Sequence, residues 1–182
     1  MAGSNGKYKK TFVQKSYAES KEWSQVREIS EKFTKFLSAP QTRKKITELH
    51  IPGAKSQRIE EIITPFAENL GFTSQAKGLF QKYKVSKLRP DYYLSLLSTG
   101  IIIEVERGQT SQNNAALKDL WKAHICEEAH YLLLFVPLEL RQNKKDPNKI
   151  NGRPFDETVN RLSTFFVEVN YTNVRGLVIF GY

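Results

Sequence analysis

The stretch that decides the fold runs from residue 89 to 110 and reads RPDYYLSLLSTGIIIEVERGQT. Ile101, Ile102 and Ile103 follow Gly100 and predict a buried strand, yet that strand ends in Glu104, Val105 and Glu106. Successive side chains of a strand point to opposite faces. Ile102, Glu104 and Glu106 therefore share one face, and Ile101, Ile103 and Val105 share the other. Ser98, Thr99 and Gly100 read as a tight turn that folds the segment 91–97 back on 100–107 as an antiparallel hairpin. Asp91, thirteen positions before Glu104, then falls near the end of one strand opposite the end of the other.

Outward from this hairpin the period changes. Upstream, Ile59, Ile62, Ile63, Phe66 and Leu70 recur at helical spacing over 56–70, with Gly71 as the residue after the helix and Pro65 as a kink or late start. A strand over about 74–84 is expected between that helix and the hairpin. Downstream, Asn113 or Asn114 caps a helix reaching about residue 128. Tyr131 to Val136 is a continuous apolar strand, the pattern of burial on both faces. A helix over 156–168 and a strand over 174–180 close the chain, after a basic, turn-rich loop at 141–154. Upstream again, Ser20 caps a helix through about residue 38 and a short helix covers 42–49. Residues 1–19 read as a weakly ordered polar arm. The expectation is an α/β layered unit with a central mixed sheet flanked by helices. Residues 1–50 form an N-terminal arm and helical extension, and 51–182 the main domain.

The chain has 182 residues, 40% of them hydrophobic, enough for one sizeable core. Its 28 Lys and Arg against 19 Asp and Glu give a net charge of +9, which favours a polyanionic partner, nucleic acid being the commonest. The single cysteine, Cys126, excludes an internal disulfide and a cysteine-built zinc site, and reads as a buried thiol within a helix. No apolar run approaches the ~20 residues that span a bilayer, and the polar start has no leader-like apolar core. A soluble cytoplasmic protein with no membrane contact is the expectation.

Two carboxylates on one face repel each other, and they persist either in solvent or around a cation. Paired with Arg107 or lysines, Glu104 and Glu106 would be an ordinary solvated edge. With Asp91 beside them they become hard oxygen donors at one place. That suits Mg²⁺, which takes one or two carboxylates and keeps its waters. Such an ion acidifies a water and neutralises charge at a phosphate.

Pro90-Asp91, the gap, and Glu104-Val105-Glu106, within the order helix, three strands, helix, strand over about 56–136, resemble the PD-(D/E)xK signature of restriction endonuclease-like nucleases. The resemblance implies an αβββαβ core and a Mg²⁺-dependent endodeoxyribonuclease, with Mn²⁺ able to substitute. It implies Asp91, Glu104 and the Val105 carbonyl as metal ligands, and Glu60 on the first core helix, with Glu61 as fallback, as a further acidic residue. The family's usual lysine is Glu106 here, a variant similar to that of some restriction enzymes. Glu106 as a general base, or Lys118 or Lys122 on the following helix, would take the lysine's place. Double-stranded DNA is the implied substrate, a type II restriction endonuclease the leading form, and a homodimer the expected assembly if both strands are cut. A repair or junction-resolving nuclease, or a DNA-binding module without catalysis, is the alternative.

Basic residues Lys77, Lys82, Lys84, Lys87 and Arg89, interleaved with Phe80 and Tyr83, form either a phosphate-contacting stripe or solvated edge lysines. Arg107, Asn113, Asn114 and Lys122 flank the carboxylates and complete the candidate DNA contacts. Trp121 and Ile125 are expected to pack rather than stack on a base, and a metal role for His124 and His130 is disfavoured by their spacing.

Overall fold

The computed structural model describes residues 8–50, 57–83, 88–106, 114–141, 149–167 and 172–182, and the statements below concern these residues. Five helices flank a six-stranded mixed sheet. The strands are β1 (Lys9–Val13), β2 (Thr73–Ser74), β3 (Tyr92–Ser95), β4 (Gly100–Val105), β5 (Tyr131–Val136), a small ribbon of β6 (Leu140–Arg141) and β7 (Ile150–Gly152), and β8 (Gly176–Gly181). The helices are α1 (Lys21–Ser38), α2 (Pro40–Leu49), α3 (Gln57–Asn69), α4 (Ala115–Ile125) and α5 (Pro154–Ser163). The sheet order is β1-β8-β5-β4-β3-β2, with β4, β5 and β8 mutually parallel and the outer pairs antiparallel.

The hairpin forms in the register that its turn dictates. Tyr92 pairs with Ile103 and Ser95 with Gly100, and the Leu96 N–H donates to the Thr99 carbonyl at 2.7 Å. Gly100 is required sterically: a β-carbon there would lie 2.8 Å from the carbonyl oxygens of both Leu94 and Glu128. β4 presents Ile101, Ile103 and Val105 to one core and Ile102 to the other, as strand alternation demands. β5 and β8 are buried along their whole lengths, which explains their uninterrupted apolar sequence.

Helices α1, α2 and α3 cover one face. Phe33 of α1 is completely buried there, edge-on to Phe66, Phe72 and Phe135. α4 and α5 cover the other face through Ala116, Leu120, Ala123, Phe155 and Leu162. The Ser20 hydroxyl caps α1 by accepting from the Trp23 N–H at 3.0 Å. Gly71 ends α3 at φ +93°, where the Phe72 N–H turns back to the Ala67 carbonyl.

Two expectations are corrected. The arm is not frayed over its described part, because Lys9–Val13 pairs along the whole of β8 and closes that edge of the sheet. Its polar sequence hid it, since an edge strand needs a partner's backbone more than an apolar run. The strand expected over 74–84 shrinks to Thr73–Ser74, after which Gln75 adopts φ +49° and residues 78–82 turn. The order from α3 to β5 is nonetheless helix, three strands, helix, strand. No described helix is long and apolar enough to cross a membrane.

Candidate active site

The register of the hairpin sets Asp91 beside the end of β4. Its Oδ2 accepts a hydrogen bond from the Val105 N–H at 2.8 Å, so one carboxylate oxygen is fixed against the strand backbone. The N–H and C=O of one strand residue leave on the same side, so the Val105 carbonyl also faces this edge rather than β5. Glu104, on the α4 face, meets Lys122 with 2.6 Å between Oε2 and Nζ. Lys122 also lies 3.1 Å from Oδ1 of Asp119, one helical turn earlier. Exposure of these three side chains is 4% for Glu104, 8% for Lys122 and 1% for Asp119, so solvent screens none of them.

The charge balance is uneven. Burial raises the Asp91 carboxyl above its usual range, an effect opposed by the Val105 N–H and by Lys122. Burial, then the charge of Asp119, raises Glu104 well above the carboxylate range. Burial and Asp119 also push Glu106 up to about 8. For Lys122 burial by itself would favour the neutral amine, but Glu104 and Asp119 outweigh it and hold the ammonium form. One ammonium thus faces four carboxyl groups, Asp91, Glu104, Glu106 and Asp119. Negative charge crowded in this way is disfavoured unless further positive charge enters.

Two buried oxygens, Oε1 of Glu104 and Oδ2 of Asp119, lack a hydrogen-bond partner among the described residues. Buried polar atoms are normally satisfied, so these two oxygens are exceptions within the cluster. Among the described residues no group of three or more His, Cys, Asp or Glu side chains is arranged to hold a metal ion. A small hard cation needs fewer: Asp91, Glu104 and the Val105 carbonyl offer oxygen donors of the kind Mg²⁺ takes alongside water.

Of the residues expected at the site, Asp91 and Glu104 come together with Glu106 in the same charge cluster. The Glu106 backbone is held at both ends, N–H to the Phe135 carbonyl and carbonyl accepting from the Tyr182 hydroxyl at 2.7 Å. Of the two lysines offered by α4, Lys118 is exposed and Lys122 lies against the carboxylates. Lys122, also expected among the DNA contacts, is buried in its ion pairs. Asp119 is a member of the cluster that the sequence reading does not single out. The signal that could have found it is its place within the apolar arc Ala116, Leu120 and Ala123 of α4, where a carboxylate needs a reason.

Glu60 lies on α3, across the sheet from α4. Its carbonyl accepts from the Thr64 and Tyr92 hydroxyls, and its charge is felt by Tyr92, as is that of Asp91. Asn114 precedes α4 at φ +53° but does not cap it by its side chain, which accepts instead from Arg161 at 3.0 Å. Lys82 ion-pairs with Glu127 and lies over the Tyr83 ring, so its charge is partly engaged. Arg89 is exposed beside Asp91 and bears on its charge. Lys84, Lys87, Arg107 and Asn113 lie outside the described residues. Trp121 is 41% exposed, contrary to the expectation that it packs. The imidazoles of His124 and His130 bond Asn173 and Thr99 across loops. Cys126 is buried, which pushes its thiol up to about 11.

Comparison of the chain with protein-family models and with curated proteins finds no match.

Proposed function

We propose that the chain is a Mg²⁺-dependent endonuclease of the restriction endonuclease-like class, hydrolysing phosphodiesters in double-stranded DNA, with Mn²⁺ able to substitute. The observation that carries this reading is the Lys122 ammonium 2.6 Å from Glu104, on a strand end whose neighbour holds Asp91 against it. Carboxylate, carboxylate and lysine are the three parts such chemistry needs, and here the lysine comes from α4 instead of the strand. The helix–three strands–helix–strand order around them and the net charge of +9 support the same reading. A type II restriction enzyme, dimeric when it cuts both strands, is the leading form; a repair or junction-resolving nuclease is the next.

Asp91, Glu104 and the Val105 carbonyl would hold the ion, which when bound neutralises phosphate charge and acidifies a water. Lys122 stays protonated, so it is no general base; it orients the attacking water and offsets charge that develops on the phosphate. Glu106, titrating at about 8, has a proton affinity suited to accept the proton of that water. Asp119 keeps Lys122 aimed at Glu104. The new bond joins water oxygen to phosphorus, the ester oxygen leaves, and solvent supplies its proton.

Supercoiled plasmid with Mg²⁺ is the test. Nicking or linearisation that falls by at least ~100-fold in both Asp91→Ala and Glu104→Ala is the expected result. One observation favours a second reading, a DNA-binding module without catalysis: Glu106 stands where the resembled signature has its lysine. Salt-sensitive DNA binding with no cutting in Mg²⁺ or Mn²⁺ decides for that module.

A further inference from the structure

The carboxyl ends of β4, β5 and β8 lie on one edge of the sheet, because these strands are parallel. Ligands of open α/β sheets bind outside that edge. Glu104 and Glu106 occupy it at β4. At β5 and β8 it opens into a cleft of two lobes, about 200 and 500 Å³. The lobes share Tyr8, Ile46, Thr47, Leu138 and Tyr182, so they adjoin, and the larger is of the size that holds a small ligand.

Its lining combines two chemistries. Ile46 and Leu138 are apolar, and the rings of Tyr8, Tyr182 and His50 offer flat faces and edges. Arg43 adds a cation to the smaller lobe, whereas in the larger Arg153 is offset by Glu139 and Asp156. Lys9, also in the smaller lobe, is tied to Glu31. Aromatic rings beside guanidinium groups are what a nucleotide needs, a π-face for the base and charge for the phosphate. Glu139 in the larger lobe can accept from the amino group of a base.

The cleft is tied to the candidate active site. Tyr182, part of both lobes, donates its hydroxyl to the Glu106 carbonyl at 2.7 Å, and its ring meets His50 edge-on at 5.8 Å. One hydrogen bond therefore separates the cleft wall from Glu106, the residue that follows β4.

We propose that this cleft binds one nucleotide, its base against the tyrosines and its phosphate toward Arg43. The inference deepens the nuclease reading by giving the substrate a pocket for a single base, though binding requires neither the carboxylate cluster nor a divalent ion. Two sources share this chemistry, an unpaired base of the nucleic-acid strand being cut and a free mononucleotide.

Titration calorimetry of the full chain with each of the four deoxynucleoside 5′-monophosphates, in EDTA, tests it. At least one binds with a dissociation constant at or below about 1 mM. Arg43→Ala and Tyr8→Leu each weaken that binding at least ~5-fold, while circular dichroism melts establish that both variants remain folded. Arg43 is exposed, so its removal leaves the core intact. Asp91→Asn/Glu104→Gln keeps the affinity. Competition by a single-stranded oligonucleotide, weakened by an abasic position, assigns the cleft to a strand base; mononucleotide binding without competition assigns it to a free nucleotide. No binding of any of the four at 10 mM, or affinity unchanged in both folded variants, overturns the proposal. Loss of the nuclease reading would appear separately, as mononucleotide binding in a protein that never cuts DNA.

Discussion

Lys122 is the residue on which both stability and chemistry turn. Removing it leaves Glu104 and Asp119 buried without a counter-charge, a change that costs about 3–5 kcal/mol in comparable pairs. Lys122→Met should therefore lower the urea midpoint sharply, and adding Glu104→Gln should restore part of the loss; an unchanged midpoint would show that the pair is solvated. Glu106 behaves oppositely. Its folded-state value of about 8 exceeds the ordinary 4.5, so the protonated carboxyl favours the fold below pH 4.5, and this contribution is lost as pH rises through 8. Glu106→Gln cannot ionise and should be more stable than the parent by about 1–2 kcal/mol at pH 9, after screening of a partly exposed group. The gap should close toward pH 4.5. Melting temperatures of both proteins across that range check it, and a gap that does not vary with pH refutes the assignment. Cys126, with its thiol at about 11, should react with a thiol-specific reagent at pH 8 at least ~10-fold more slowly in the folded than in the unfolded chain.

At the scale of elements, the β3–β4 hairpin is the device that makes the site. Its turn sets Tyr92 against Ile103, and this register alone brings Asp91 to the Val105 N–H. The hairpin tip is anchored to α1, because the Glu22 carboxylate accepts from both the N–H and the hydroxyl of Ser98. Gly100→Ala would force a methyl into the Leu94 and Glu128 carbonyls. It should cost about 1–3 kcal/mol, read by chemical denaturation, and reduce cleavage by displacing Glu104. Helix α4 is the second device. Asp119 and Lys122 reach the sheet while Lys118 and Trp121 remain exposed on other flanks of the same helix. A rotation of one residue, about 100°, would exchange these roles.

Across the whole molecule, the first fifty residues contribute to the sheet and core that carry the site. β1 covers the edge of β8, and Phe33 of α1 joins aromatic rings from α3, β5 and β8. Phe33→Ala should destabilise by about 3–5 kcal/mol, measured by denaturant unfolding. Removal of residues 1–13 uncovers the backbone of a fully buried strand, and the expected outcome is concentration-dependent aggregation seen by light scattering. A truncated chain that stays monodisperse would show that β1 is dispensable.

The sequence by itself determined the elements and faces that depend on near neighbours. Serine at the start of α1, glycine after α3, the apolar run of β5 and the alternation of β4 were all legible, because caps and periodicity are local. The pairing of Asp91 with the end of β4 was legible too, since a tight turn fixes register on both sides. Tertiary structure alone decided the rest. β1 is a strand because β8 offers it a ladder, and Lys9–Val13 has no local pattern that says so. The choice of Lys122 over Lys118 followed from how α4 docks on the sheet. Spacing along a helix gives relative angles, whereas burial of Asp119 and Lys122 depends on an absolute rotation that only packing sets.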